Sequence, residues 1–573
     1  MKFLIKKIYI ILFLLSILFG STSLYAKDNI IKYSKEDISN YFFGTVSANQ
    51  YNNNAEAFKY FNKIKFESNR HSRLNTELLR TLILLEKFKS AFIFSEKVEK
   101  MNESFFEADL LLGLNYFLKK DYISAEKYFK RLSEIPEYKI SFGDFIGNIL
   151  MAWNSALSGK KEDSFEFIKK VPKMYNNLIK PQNAFLQCYF DTDKTNTYFK
   201  EMSEDKKFNF SRYNYFYLNY LLFKNKFNEA ENVIKESTIN YSANLLLKQT
   251  QKFYLNKKYT KIKSFFNCKN PKDTLGEFFY VIANLYSHEK NYKTSNFYLK
   301  ISLYLNKNFL MNKALLAENL YFQKQNKKSK DIYYSLKKVG STYSWYASKN
   351  IARILQSEVG KKYAVDSLQK DFNLIKKPNF LHYYELANFY KDNEFYNESI
   401  EYYSIALKII EKDHFLIPKI LDRRGTSFER VGDWKSAETD LLESLKIIPE
   451  QAHVLNYLAY TWIDKGINLD KGLEMLKKAL KLSNKDAYII DSLGWVYYAK
   501  KDYEQAEFYL RQAVELMPSD PTVNDHYGDV LWMLNKNIQA RYFWKNILSL
   551  DDVKEATKAS IRKKLIFGIS KKL

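Results

Sequence analysis

Large and small apolar residues follow one another along this chain in an arrangement that returns about every 34 residues. The arrangement is clearest over residues 490–518, where Gly494 lies in a first amphipathic segment and Ala506 in a second. A small residue in each segment lets two antiparallel helices approach closely, while the large residues fill the space around them. Pro518 then ends the second helix, because proline lacks an N–H and disfavours helix in the residue before it. The pattern therefore predicts one helix pair per repeat.

The small position of the first helix can be followed through the C-terminal half at intervals of 34 to 38 residues. It holds Ala283, Ala317, Ala352, Ala387, Gly425, Ala459, Gly494 and Gly528. The small position of the second helix holds Ser295, Ser329, Ala364, Ser399, Ala437, Gly472, Ala506 and Ala540. The two positions lie twelve residues apart in every repeat except that of Gly472, so we expect a one-residue insertion in the turn at 465–470.

The N-terminal half follows the same spacing less regularly. Its first-helix positions are Thr45, Leu79 and Gly113, and the second helices hold Ala57, Ala91 and Ala125. Between about 140 and 251 the pattern weakens, with first-helix positions near Ala152, Leu186, Leu218 and Thr250. Together these positions predict about fifteen repeats, which leaves no room for a catalytic domain of ordinary size.

The best-matched segment resembles the tetratricopeptide repeat (TPR) family, whose repeat is a helix–turn–helix of about 34 residues. The residues that carry the resemblance are Ile490, Leu493, Gly494, Tyr497, Ala506, Leu510, Ala513 and Pro518. The resemblance implies an all-α fold, an α-solenoid of stacked antiparallel helix pairs (a TPR superhelix), and a function in protein binding. Because end repeats of a solenoid need a polar cover, we expect a terminal helix over 551–566.

These patterns divide the chain into four predicted parts. Residues 1–26 form a signal peptide, 27–280 degenerate and basic TPR-like repeats, 281–550 well-matched repeats, and 551–573 a capping helix and tail.

The first residues have the layout of a secretory signal. Three lysines precede an apolar run over 8–19, and the small residue Ala26 marks the expected cleavage site. The run is too short to span a bilayer, which takes about 20 residues. We therefore expect an exported protein, periplasmic in a Gram-negative bacterium. An inner-membrane anchor formed by an uncleaved signal segment is the alternative.

Charge distinguishes the two ends of the chain. The whole chain has 90 Lys and Arg against 65 Asp and Glu, a net charge of +25. Residues 1–380 hold 62 of the basic and 36 of the acidic residues, whereas 381–573 hold 28 and 29. The basic stretch fits an anionic membrane or polysaccharide surface, and solvated lysines in a chain of biased composition are the alternative. Nucleic acid fits the charge but not an exported protein.

Residues suited to catalysis or metal binding are scarce. The six histidines lack zinc spacing, and no Gly-rich phosphate loop or nucleophile motif occurs. We therefore expect no catalytic residue, no cofactor and no metal, and only the stretch 140–251 leaves space for an enzyme insert. Cys188 and Cys268 are the only cysteines, and their aromatic-rich helical surroundings favour two unpaired buried thiols over a bridge.

The first helices of the last four repeats carry the candidate binding surface. In a helix-pair solenoid these helices line the concave side, and positions near each small residue face inward. The partner-binding candidates at these positions are Arg423, Tyr457, Tyr460, Asp491, Trp495, Tyr498, Asp525, Asp529 and Trp532. Aromatic residues among carboxylates suit an extended peptide, since Trp, Tyr and Arg dominate binding hot spots. Packing between the helices is the alternative role for the same residues.

The sequence therefore predicts a non-enzymatic TPR scaffold or adaptor of the cell envelope. It would bind a protein or peptide on the concave face and support assembly or regulation of an envelope complex. The alternative is a binder of anionic membrane or polysaccharide surface, acting through the basic N-terminal repeats.

Overall fold

A computed structural model describes residues 34–49, 53–64, 72–205, 207, 210–241, 243–551 and 553–569. These residues form 31 α-helices and two short 3-10 helices, and no strand occurs among them. The predicted all-α class is therefore confirmed. The predicted signal peptide, 1–26, lies outside the described residues, as do residues 570–573 of the predicted tail.

The chain divides into two compact units, Met1–Ala347 and Ser348–Leu573. The helices of the first unit are α1 (Lys35–Asn49), α2 (Asn54–Phe61), α3 (Ser72–Leu84), α4 (Phe88–Lys100), α5 (Phe106–Leu118), α6 (Tyr122–Glu134), α7 (Gly143–Leu157), α8 (Lys161–Lys170), α9 (Asn176–Tyr189), α10 (Thr195–Glu204), α11 (Tyr213–Phe223), α12 (Phe227–Asn240), α13 (Leu245–Leu255), α14 (Tyr259–Lys263), α15 (Pro271–His288), α16 (Tyr292–Leu305), α17 (Leu310–Phe322) and α18 (Asn326–Lys337). The division falls within α19 (Ser341–Glu358).

The second unit continues the series to the C-terminal end. Its helices are α20 (Lys361–Asn373), α21 (Phe380–Asp392), α22 (Tyr396–Ile409), α23 (Ile417–Arg430), α24 (Trp434–Ile447), α25 (Ala452–Asp464), α26 (Leu469–Leu482), α27 (Ala487–Ala499), α28 (Tyr503–Leu516), α29 (Pro521–Met533), α30 (Asn537–Leu548) and α31 (Glu555–Phe567). The sequence boundary at 280/281 rests on repeat match and charge, and it stays a prediction.

Successive helices pack on their chain neighbours, as α15 does on α16 and α27 on α28. Taken in order they make fifteen helix pairs, from α1/α2 to α29/α30, which is the number of repeats that the small residues predict. The weakly matching stretch 140–251 consists of the same helix pairs, α7 to α13.

The predicted small positions lie where the two helices of a pair touch. Ala283, Ala317 and Ala459 are fully buried, and a Cβ on Gly494 would lie 2.5 Å from Leu510 Cγ. Two of the predicted positions were wrong. In α1 it is Gly44, not the half-buried Thr45, that lies under a ring of the second helix, because a Cβ there would overlap Phe61.

The second correction is in α9, where Ala184 replaces Leu186 as the small position. In most pairs a residue with positive φ follows the small position by seven residues and ends the first helix. Asp191 is that residue in this pair, with a φ of 56°. Counting back seven residues reaches Ala184, which is fully buried.

Every described turn between the two helices of a pair contains such a left-handed residue. These residues are Glu86, Lys120, Gly159, Asp191, Asn225, Lys257, Lys290, Lys324, Gly360, Glu394, Gly432, Gly466, Lys501 and Asn535. The left-handed conformation turns the next N–H back toward the helix end, and Asp502 N donates to Tyr497 O at 2.9 Å. The turn at 465–468 has a second such residue, Asn468, which confirms the predicted insertion.

The two cysteines form a disulfide, with Cα atoms 6.0 Å apart. The expectation of two unpaired thiols is therefore wrong, although both residues are buried as expected. Packing of α9 against α15 brings Cys188 near Cys268, which lies just before α15, within the Cα separation that a bridge requires.

The first unit curves until its early helices meet α16. Phe88 in α4 stacks on Tyr304 in α16, with ring centroids 4.0 Å apart. Lys293 Nζ donates to Glu77 Oε2 at 2.7 Å across a sequence separation of 216 residues. A cavity lies between α4–α5 and α16–α17 at this closure.

A last helix, α31, lies where the sequence predicts a terminal helix. Its Ile561 is fully buried, and Arg541 Nε in α30 donates to Leu565 O at 3.1 Å. Within the described part of the chain, no helix combines the length and apolar character needed to cross a membrane.

Candidate partner-binding face

The first helices of the second unit contact one another, as α25 does with α27 and α27 with α29. Side chains join them: Tyr457 Oη donates to Glu429 Oε2 at 2.8 Å, and Arg423 donates to Asn388 Oδ1 at 2.6 Å. These hydrogen bonds link α25 to α23 and α23 to α21. The first helices therefore form one continuous face.

This face is concave. Tyr460 in α25 and His526 in α29 are two repeats apart, yet their ring centroids are separated by 6.3 Å. Such a contact across two repeats is expected where the inner side of a curved stack brings the first helices together. The inward position of the other candidates stays a prediction.

An aromatic and histidine cluster occupies the centre of the face. The half-buried indole of Trp495 stacks on Tyr498, with centroids 4.6 Å apart, and on His526, with centroids 4.0 Å apart. His526 Nδ1 lies 2.9 Å from Asp491 Oδ2, and both side chains are buried. The structure thus brings Asp491, Trp495 and Tyr498 together as the sequence predicts.

Two further candidates, Asp525 and Asp529, share a lysine from the terminal helix. Lys564 Nζ donates to Asp525 Oδ1 at 2.6 Å and to Asp529 Oδ1 at 2.7 Å. Asp529 also accepts from the indole N–H of Trp544 at 3.0 Å. These carboxylates bind a cationic side chain within the molecule.

Trp532 is placed differently from the other aromatic candidates. Its Nε1 donates to the backbone oxygen of Ile569 at 3.2 Å, and Gly568 lies against its indole ring. The guanidinium of Arg541 lies 4.9 Å from the ring centroid. The C-terminal segment therefore covers Trp532, and its role as a partner contact stays a prediction.

The carboxylates set the protonation of the cluster. Burial by itself would lower the pKa of His526, but Asp491, Asp529 and Asp525 outweigh it and raise that pKa above the usual 6.5. Burial raises the pKa of Asp529 to about 6, and repulsion from Asp525 adds to the shift while Lys564 opposes it. The cluster therefore favours a protonated His526.

Two acceptor atoms of the face lack a donor among the described residues. They are Asp422 Oδ1 and Asn456 Oδ1, on the neighbouring first helices α23 and α25, and both atoms are buried. Burial raises the pKa of Asp422. Buried acceptors without a donor are uncommon in folded proteins, so each is a point where a partner could donate.

Besides Asp422 and Asn456, three residues of the site fall outside the nine candidates: His526, Glu429 and Lys564. His526 and Glu429 occupy inward positions of the same spacing, two residues before Gly528 and four after Gly425, and that spacing identifies them. Lys564 follows Asp529 by 35 residues, which is about one repeat period. It therefore lies one repeat further along the same face. In the described ranges, no group of three His, Cys, Asp or Glu residues is arranged to hold a metal ion.

A family model for the tetratricopeptide repeat matches residues 487–520, which contain α27 and α28. The chain therefore contains a tetratricopeptide repeat (TPR) at α27 and α28. This TPR protein is 36% identical over 110 residues to a TPR repeat-containing protein of Pseudomonas aeruginosa. The matched part is 19% of this chain and 18% of that relative, so the TPR protein spans less than a fifth of the relative's length.

Two solved structures are also similar to parts of the chain. A tetratricopeptide repeat protein from Parabacteroides merdae is 18% identical, with 39% of this chain and 85% of that chain covered and a TM-score of 0.33. MamA from Desulfovibrio magneticus is 18% identical, with coverage of 31% and 100% and a TM-score of 0.28. Each unit is a stack of helix pairs, the solenoid architecture in which TPR proteins present extended surfaces for binding.

Proposed function

We propose that this TPR protein is a non-enzymatic, exported scaffold or adaptor of the cell envelope. It binds a protein or peptide on the concave face of its last repeats and supports assembly or regulation of an envelope complex. The secretory layout of residues 1–26 supports export, and the match to a family of scaffold proteins supports protein binding.

The observation that carries the proposal is the binding of Lys564 by Asp525 and Asp529. The face already accepts a cationic side chain between carboxylates on one turn of α29, beside the aromatic cluster of Trp495 and His526. Asp422 Oδ1 and Asn456 Oδ1 extend this set of acceptors along the face. The partner segment is therefore expected to carry basic or N–H donor groups next to apolar side chains.

Replacement of two half-buried aromatic residues of the face tests the proposal in the full-length protein. We expect Tyr460→Ala with Trp495→Ala to reduce crosslinking to its envelope partner at least tenfold, because both rings lie at the centre of the concave face. Trp532 is unsuitable for this test, since the C-terminal segment covers it.

The matched control replaces two exposed aromatic residues on the second helices, Phe508→Ala with Tyr542→Ala. This control should keep the crosslinked partner, and thermal unfolding should show that both double variants are folded. Equal crosslinking by the two folded double variants would exclude the concave face as the binding site.

A second candidate function is binding to an anionic membrane or polysaccharide surface. It is favoured by the 62 basic against 36 acidic residues of the stretch 1–380. We expect the full-length protein to sediment with vesicles containing phosphatidylglycerol at low salt and to release them at high salt. Sedimentation with vesicles of phosphatidylcholine alone, or no loss of binding at high salt, would argue against it.

A further inference from the structure

The cavity at the closure of the first unit has a volume of about 770 Å³. Pockets for small molecules measure roughly 300–1,000 Å³. Its walls come from α4, α5, α16 and α17, which lie far apart in sequence, and the stacked rings of Phe88 and Tyr304 join its two sides. The cavity therefore exists only because the first unit curves back on itself.

One part of the lining is apolar. It consists of Phe88, Phe92, Leu118, Leu303 and Tyr304. Tyr304 keeps 40% of its surface exposed although its ring is stacked, so one face of the aromatic pair remains open to a ligand. Flat aromatic and aliphatic surfaces of this kind bind apolar bodies by burying them from water.

The other part of the lining is strongly basic. It consists of Lys89, Lys119, Lys300, Lys307 and Lys313, and Glu86 is the one acidic residue of the lining. Lys300 pairs with Glu86, and Lys119 lies 3.8 Å from Glu96.

The other three lysines, Lys89, Lys307 and Lys313, form no ion pair with any residue in the described part of the chain. Lys313 is half-buried, and this burial lowers its pKa. Like charges gathered without counter-charges repel one another, and an anion would remove that repulsion.

We propose that this cavity binds a small anionic molecule whose acidic group contacts the lysines and whose aromatic or aliphatic body lies on the Phe88 and Tyr304 rings. The charge of the lining selects an acid over a neutral analogue, and the rings select an apolar acid over an inorganic anion. This site is independent of the concave face of the second unit, since every lining residue belongs to the first unit.

Two fluorescent probes of nearly equal hydrocarbon structure test the proposal in the full-length protein. The anionic probe is 8-anilinonaphthalene-1-sulfonate, and the neutral probe is N-phenyl-1-naphthylamine, which lacks the sulfonate. We expect saturable binding of the anionic probe at one site, at least tenfold tighter than that of the neutral probe. Equal affinity for the two probes, or no saturable site, would overturn the proposal.

A charge reversal locates the site. Lys89→Glu with Lys307→Glu changes two exposed, unpaired lysines of the lining and should weaken binding of the anionic probe at least tenfold. The matched control, Lys235→Glu with Lys258→Glu, changes two exposed lysines of the same unit outside the cavity and should alter the affinity less than twofold. Equal weakening by the two folded double variants would show an effect of net charge alone and would overturn the assignment.

Competition distinguishes the source of the acid. Displacement of the anionic probe by 1-naphthoate indicates a soluble aromatic acid, and displacement by dodecyl phosphate below its micelle concentration indicates an acyl-chain amphiphile. Either result supports the site, and failure of both competitors at millimolar concentration contradicts it. A change in probe affinity reports on the cavity only if the variant is folded. The unfolding midpoints of all variants should therefore lie within a few degrees of that of the parent protein.

Discussion

The imidazole of His526 lies against the indole of Trp495, with ring centroids 4.0 Å apart and planes 13° from parallel. The two residues belong to neighbouring first helices, α29 and α27, and Asp491 beside Trp495 holds the imidazole through Nδ1. A protonated imidazole over an indole face gains a cation–π attraction in addition to the ion pair. The link between these helices therefore depends on pH.

The stability of the second unit should fall as pH rises. The folded-state pKa of His526 lies above its usual 6.5, so its contribution is fully present below pH 6.5 and is lost as pH rises through the folded pKa. We expect Asp491→Asn to destabilise the protein by about 2 kcal/mol at pH 6 and by much less at pH 9, since it removes a hydrogen bond to a charged group. Thermal unfolding of both proteins from pH 6 to pH 9 measures this, and a constant difference would contradict it.

The glycine at the contact between α29 and α30 should not tolerate a side chain. A Cβ on Gly528 would overlap the indole of the fully buried Trp544, whose N–H donates to Asp529. We expect Gly528→Ala to cost about 1–3 kcal/mol through overpacking.

The control is Gly472→Ala, where the nearest atoms to the new Cβ are 3.6 Å away. Alanine there should stabilise α26 by about 0.5–1 kcal/mol, because glycine is costly inside a helix. Chemical unfolding compares the two variants, and destabilisation by both would show that the space at these positions is not the deciding factor.

The left-handed turn residues predict an opposite pair of substitutions. Lys501 has a φ of 63° in the turn between α27 and α28, and Gly432 has a φ of 87° at the same place between α23 and α24. Because a side chain in this conformation costs about 1–2 kcal/mol, Lys501→Gly should stabilise and Gly432→Ala should destabilise the protein by about 1 kcal/mol each. Unfolding midpoints that shift in the same direction for both variants would contradict this account.

The disulfide between Cys188 and Cys268 should contribute to the stability of the first unit. It closes a long segment of chain, and loss of a native disulfide typically costs about 2–5 kcal/mol. We expect Cys188→Ser with Cys268→Ser to lower the unfolding midpoint, and a reductant to lower that of the parent but not of the variant. Alkylation of both cysteines in unfolded, unreduced protein would show that the bridge is absent.

Much of the fold follows from local signals in the sequence. Gly494 and Ala506 identify a helix pair because they are only twelve residues apart in sequence, one in each helix. The same spacing, repeated along the chain, predicts fifteen pairs and the insertion before α26. The candidate face was predicted through the same spacing, which placed Asp491, Trp495 and Tyr498 on one side of the helices. The wrong small position in α1 was a local error too, since Thr45 and Gly44 differ by one residue and only the position of Phe61 distinguishes them.

The sequence by itself therefore determined the all-α class, the repeat period and which residues of a first helix share one side, because each depends on residues within one helix pair. Only the tertiary structure decided that Cys188 bonds to Cys268, that Lys564 donates to Asp525 and Asp529, and that the C-terminal segment covers Trp532. It also decided that Phe88 reaches Tyr304 and encloses a lysine-lined cavity. These contacts depend on rotations between repeats that accumulate along the stack, and no pattern of one repeat's length specifies that sum.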